Sequence, residues 1–132
     1  MRDYRKLRAF ELADELAVAV YLHTRNFPKE ERFGLTSQMR RCAVSIPSNI
    51  VEGCGRSTPG DYLRFLDIAY GSVCELEYQI SLATRLNFLV GSSVNELSQK
   101  CSETARVLNG LIMSQRKPES WLLNPAPSTE RK

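Results

Sequence analysis

Between Tyr62 and Ala83 the apolar residues fall at Tyr62, Leu66, Ala69, Val73, Leu76, Ile80 and Ala83, in strictly alternating steps of four and three. A mean step of 3.5 sets all of them on one line along an α-helix, and it is the repeat that left-handed bundle packing demands. Just upstream, Thr58-Pro59-Gly60-Asp61 reads as a helix start, with Thr58 as N-cap, Pro59 at the first position and Asp61 at the third. The spacing therefore predicts a long helix from this cap to about Asn87–Leu89. Its single apolar seam must be laid against other helices.

Three further helices are legible around it. The first runs from about Leu7 to Arg25, with one stripe of Phe10, Ala13, Ala17 and Val20 and a second of Ala9, Leu12, Leu16 and Ala19. Glu11, Asp14 and Glu15 mark its wet face, which then turns apolar at Val18, Tyr21 and Leu22. A helix apolar nearly all round is buried on more than one side, so these three residues are expected to contact another subunit, or else to lie under a loop or tail. Phe27-Pro28 breaks this helix, and Lys29–Arg32 is expected to form a short turn. The second helix begins near Leu35, carries the seam Leu35, Met39, Cys42, Ile46 and Ile50, and extends to about Glu52, with Gly53 and Gly55 as stop signals. Pro47 lies inside it, where a proline costs ~3 kcal/mol, so a kink is expected there. The fourth follows Gly91-Ser92-Ser93, with Ser93 and Glu96 as a capping box and a seam of Val94, Leu97, Cys101, Thr104, Leu108 and Leu111. Short connections imply antiparallel neighbours. The expected fold is all-α: an up-down-up-down four-helix bundle over residues 1–117, with 118–132 a flexible tail in which Trp121-Leu122-Leu123 is the one stretch fit to dock.

The second helix also bears a polar stripe of Gln38, Arg41, Ser45, Ser48/Asn49 and Glu52. Arg64, Ile68, Gly71 and Glu75 share a face of the third. Glycine inside a helix costs about 1 kcal/mol against alanine, and close approach of a neighbouring helix at Gly71 would explain it. Arg41, Ser45, Asn49, Glu52 and Glu75 then read as a polar network fixing register between helices two and three, with a ligand or RNA contact as the functional alternative.

Several of these segments resemble a known family. Phe27-Pro28-Lys29-Glu30-Glu31-Arg32-Phe33-Gly34-Leu35-Thr36-Ser37-Gln38, the stretch from Arg41 through Arg56, and Arg64-Phe65-Leu66-Asp67-Ile68-Ala69-Tyr70-Gly71-Ser72 are similar to the four-helix-bundle proteins encoded within intervening sequences of bacterial 23S ribosomal RNA genes. Ser45-Ile46-Pro47-Ser48-Asn49-Ile50 followed by Glu52-Gly53 is the most specific part. Val51 and Cys54 stand where that family more often has alanine and an aromatic residue. The resemblance spans about Leu7 to Ser114. It implies a homopentameric ring. It also implies kinship with accessory proteins of diversity-generating retroelements, which use a basic ring surface to bind nucleic acid and a reverse transcriptase.

Composition narrows the function classes. With 42% apolar residues in 132, the chain has one real core and no room for two. The longest strongly apolar run, Leu16–Leu22, is too short to span a bilayer, so no membrane partner is expected. Asp14 and Glu15 interrupt any secretory pattern behind Arg2-Asp3-Tyr4-Arg5-Lys6-Leu7-Arg8, so a cytoplasmic protein is expected. Four cysteines stand without a C-x-x-C pair and His23 is the single histidine, so neither a metal nor any other cofactor is expected, and buried thiols are. No Ser-His-acid or Cys-His set can be assembled, and Glu75 and Glu77 point to different faces of their helix, so no enzyme is expected.

Net charge is +3. Arg2, Arg5, Lys6 and Arg8 cluster at one terminus, Arg116, Lys117, Arg131 and Lys132 lie towards the other, and Arg40 follows the polar stripe. In an up-down-up-down bundle the two termini share an end, so Arg2, Arg5, Lys6, Arg8, Arg116 and Lys117 are candidate RNA contacts, with Arg40 of the second helix as a further one; solvated surface charge is the alternative. Gly53-Cys54-Gly55-Arg56-Ser57-Thr58 lacks the preceding strand and the Gly-Lys-Ser/Thr end of a P-loop. The start of helix three could still hold an isolated anion, against the plainer reading of a capped interhelical turn. The sequence thus points to a non-catalytic homo-oligomer that is RNA-associated or an adaptor, with a protein-binding scaffold free of nucleic acid as the competing class.

Overall fold

The structure is a computed structural model and describes residues 2–116. It consists of four α-helices: α1 (Arg8–His23), α2 (Leu35–Cys54), α3 (Pro59–Arg85) and α4 (Ser92–Arg116), with short 3-10 turns at Tyr4–Lys6 and Lys29–Glu31. There is no strand among the described residues. Each helix packs on the next in the chain, and α1 closes against α4. Pairs across the contacts run in opposite chain order: Ser45 meets Ser72 while Gly53 faces Tyr62 and Phe65, and Arg8 reaches Glu103 while His23 reaches Glu96.

The seams behave as periodicity requires. Every seam position of α3 from Tyr62 to Ala83 is buried, as are Leu35, Met39, Cys42, Ile46 and Ile50 of α2. Both stripes of α1 are buried except Phe10, which is half-buried and meets Tyr4 edge-on at 4.8 Å. In α4 the seam ends on Ile112 instead of Leu111, because the last interval is four residues, not three. Large-to-small changes on such seams cost about 2–5 kcal/mol. At the far end, Phe27 is buried and meets Phe88 at 5.5 Å, closing the core beneath the turns.

Helix ends show which local signals acted. The Thr58 hydroxyl accepts from Asp61 N at 3.1 Å with Pro59 next to it, the expected cap. Asn87 takes a left-handed φ of 62°, and Phe88 N bonds back to Ala83 O at 2.9 Å, so α3 stops at an asparagine C-cap motif. The capping box expected at Ser93 gives way to tertiary contact, since Glu96 turns to His23 of α1 at 3.1 Å. α2 continues through the buried Pro47 as one helix.

Two glycines correct the sequence reading. Gly71 is exposed and a β-carbon there would meet nothing within 4 Å, so no helix approaches it. The close approach is at Gly53, where a β-carbon would stand 3.0 Å from Phe65 Cβ and 3.3 Å from Tyr62 O. Gly53 is a helical residue of α2 kept small by packing, and Gly55 caps the helix with an ordinary φ of −82°.

Candidate assembly face and nucleic-acid interface

The α2–α3 contact carries a polar seam at its outer edge. Ser45 Oγ donates to Cys42 O at 2.7 Å and lies 2.7 Å from Ser72 Oγ, joining the two helices. Cys42 Sγ donates to Ser72 O at 3.1 Å. Burial, and then the nearby Glu75 carboxylate, push the Cys42 thiol up to about 12, so it stays protonated. Gln38, Arg41, Cys42, Ser45 and Glu75 line a shallow polar cleft of about 380 Å³. Arg41 and Glu75 thus share a cleft, but no ion pair joins them among the described residues; Glu75 accepts from Gln79 Nε2 at 3.3 Å instead. The other two members of the expected network make only local contacts, within α2 or to the turn that follows it. Asn49 Nδ2 donates to Ser45 O at 2.7 Å, and Glu52 pairs with Arg56 at 2.7 Å on the surface. The interhelical bonds therefore run through Ser45, as its place in the polar stripe led one to expect, and through Cys42 and Ser72, which the expected network did not include.

On α1, Val18, Tyr21 and Leu22 are 55%, 44% and 48% exposed, and no described segment covers them. Arg40 of α2 reaches across to Tyr21, its guanidinium 4.7 Å from the ring centroid and its Nε donating to Thr24 Oγ1 at 2.9 Å. Val44, one turn on, is exposed as well. The outer faces of α1 and α2 thus carry exposed apolar side chains, with the Arg40 guanidinium laid over Tyr21.

The cations divide by location. The start of α1, the α2–α3 turn and the last turn of α4 share an end, and Arg2, Arg5, Lys6, Arg8 and Arg116 are there. Arg40 is not; it sits with Thr24 at the other end. Lys117, Arg131, Lys132 and Trp121-Leu122-Leu123 lie outside the described residues. Several of the gathered cations are matched by carboxylates: Arg5 by Asp3 at 3.0 Å, Arg8 by Glu11 at 2.7 Å, Arg116 by Asp67 at 2.8 Å. The bond from Arg5 holds the Asp3 carboxyl below its ordinary range. Arg2 differs: its guanidinium lies 3.9 Å over the Tyr62 ring and donates to Arg56 O at 3.5 Å. Arg56 and Arg64, which were not among the candidate contacts, both lie over Phe65, at 4.7 and 4.6 Å. The Arg-Ser pair at the start of helix three was the signal for Arg56; none pointed to Arg64.

Among the described residues no group of three metal-ligating side chains converges, and no helix is long and apolar enough to cross a membrane. Cys42, Cys54 and Cys101 are buried free thiols, whereas Cys74 faces solvent, contrary to the reading of all four as core residues. Burial pushes the Cys101 thiol up to about 12.

A family model described as 23S rRNA-intervening sequence protein matches residues 5–110, most of the chain, from before α1 into α4. The chain belongs to that family. Among solved structures it is similar to a protein of unknown function from the S23 ribosomal protein family of Bacteroides thetaiotaomicron VPI-5482, solved at 1.70 Å. The TM-score is 0.72 at 24% identity, over 80% of this chain and 95% of that one, a likeness that concerns the fold. No curated protein matches the chain.

Proposed function

We propose that this member of the family is a non-catalytic, cytoplasmic, self-associating bundle that acts as an RNA-associated adaptor. The outer strip of α1 and α2 joins copies into a ring, with five copies as the resemblance implies, and the basic end meets RNA. The observation that carries the reading is the half-exposed set Val18, Tyr21 and Leu22 beside Tyr21-bound Arg40. Fully burying a large apolar side chain contributes about 1.5–3 kcal/mol, so a few such residues on each copy favour assembly. Tyrosine and arginine are among the residue types enriched where binding energy concentrates. Gathering Arg2, Arg5, Lys6, Arg8 and Arg116 at one end, then repeating that end around a ring, supports contact with phosphates.

The second reading, a scaffold without nucleic acid, draws on the carboxylates that match Arg5, Arg8 and Arg116. Light scattering on the purified protein, with its ultraviolet absorbance ratio before and after ribonuclease, separates the two. An oligomer that carries ribonuclease-sensitive nucleic acid is the expected result. An oligomer free of it, and unable to retain RNA at low salt, leaves the scaffold; a monomer at micromolar concentrations removes the assembly itself.

A further inference from the structure

Between the first turn of the chain and the end of α2 lies an open cleft of about 390 Å³, walled by Tyr4, Val51 and Cys54 and flanked by Arg2, Asp3 and Arg5. We infer that this cleft takes Trp121 of the chain's own C-terminal segment, 117–132, and that the segment seated there covers Arg2 and Arg5. On the RNA reading above, it then competes with RNA for the basic end.

The place where α4 ends puts this cleft within reach. Arg116 Nη2 donates to Asp67 of α3 at 2.8 Å. Tyr62 stands five residues nearer the start of α3 and carries Arg2 over its ring at 3.9 Å. Five helical residues advance about 7.5 Å and packed helices stand about 8–10 Å apart, so the near side of the cleft is roughly 12 Å from Arg116. Trp121 follows Arg116 by five residues, which span about 17 Å when extended. The apolar groove between α3 and α4, lined by Ile80, Val94 and Cys101, is further off. Its lining residue nearest to Arg116 along α4 is Ser102, fourteen residues back or about 21 Å along the helix.

The chemistry of the cleft suits the same occupant. Val51 is exposed although apolar, Tyr4 is half-buried, and Cys54 is buried behind them. An indole carries a large apolar area with a single N–H to satisfy, and so fits a wall of this kind with polar groups at its edge. Arg5 is matched by Asp3 at 3.0 Å, whereas Arg2 has no carboxylate within salt-bridge distance among the described residues. Glu119 precedes Trp121 by two residues, so seating the indole brings a carboxylate to the side of Arg2. A tether this short supplies an effective concentration of about millimolar, so a shallow cleft is enough to hold the segment.

Trp121 is the one tryptophan in the chain, and its fluorescence in the full-length protein reports the docking directly. Its emission is expected to lie to the blue of the urea-unfolded chain and to be shielded from acrylamide. Val51→Gln, at an exposed helix position, should return the emission to the solvent value with an unchanged melting temperature. Val90→Gln, in the turn at the opposite end, should leave it shielded. Tyr21→Glu, the expected monomer, should keep the shielding; its loss there would assign the cleft to a neighbour's segment and overturn the inference. An indole as open to acrylamide in the folded chain as in urea, or one that Val51→Gln leaves shielded, overturns it as well. Anisotropy with labelled single-stranded oligouridylate reads the competition. Trp121→Ala and Val51→Gln should each bind about tenfold more tightly at low salt, as a surface covered about nine-tenths of the time requires. Weaker binding by Val51→Gln with unmoved fluorescence would give the cleft to a base and overturn the docking. If no form of the chain binds the strand, the RNA reading and the competition both fall, while the fluorescence still decides whether Trp121 is seated.

Discussion

Gly53 of α2 lies against Phe65 of α3 so closely that a β-carbon on the glycine would stand 3.0 Å from Phe65 Cβ. Neither contact is the loose end of a side chain, since the Tyr62 carbonyl oxygen is only 3.3 Å away on the other helix. Gly53→Ala should therefore push the helices apart and cost about 1–3 kcal/mol, as overpacking does. Gly71→Ala meets open space in the middle of α3 and should gain about 0.5–1 kcal/mol. Urea unfolding of the two variants checks the contrast; equal effects would contradict it.

The Ser45–Ser72 bond links the side chains of α2 and α3 directly, at 2.7 Å and half-buried. A double-mutant cycle with Ser45→Ala and Ser72→Ala should give a coupling of about 0.5–1.5 kcal/mol. The same cycle on Arg41 and Glu75, which share a cleft without an ion pair, should give a coupling near zero.

Assembly is tested on α1. Tyr21→Glu places a carboxylate on the apolar strip while leaving the core seams untouched. It should convert the oligomer to a folded monomer, read by light scattering with an unchanged circular-dichroism melt. Val18→Asp should do the same. A chain that keeps its mass through both changes would place the interface elsewhere.

Alkaline pH should unfold the protein earlier than its exposed groups require. Cys42 and Cys101 are each raised from an ordinary 9.0 to about 12, and burial raises Cys54 and Tyr62 in the same direction. In the unfolded chain these thiols ionise near their ordinary value, while in the fold they stay protonated. Their contribution is thus full below about pH 9 and is lost as pH rises towards 12, because the unfolded state then binds fewer protons. The combined Cys42→Ala and Cys101→Ala variant should be less stable at neutral pH but fall less steeply over this window, as chemical denaturation at stepped pH would show.

The four helices and their buried lines were legible because helical spacing is a local property: residues three and four apart share a face whatever surrounds them. The turn at Thr58-Pro59 was legible for the same reason, its cap lying within one turn. Features that join two helices were not. The close glycine was expected at Gly71 and is Gly53, since which residue faces a neighbour depends on the rotation and register of a helix placed by the whole core. Arg40 read as a cation beside the polar stripe of helix two, and no local spacing showed that it lies on Tyr21 of α1.

The sequence by itself determined that this chain makes four amphipathic helices and that α1 has more apolar surface than one core can use. Tertiary structure alone decided that Arg2 settles on Tyr62, that Cys42 is tied to Ser72, and that Glu75 takes Gln79 instead of Arg41. Side chains distant in the chain meet only after the seams have fixed how far each helix slides and turns, and no local spacing records that choice.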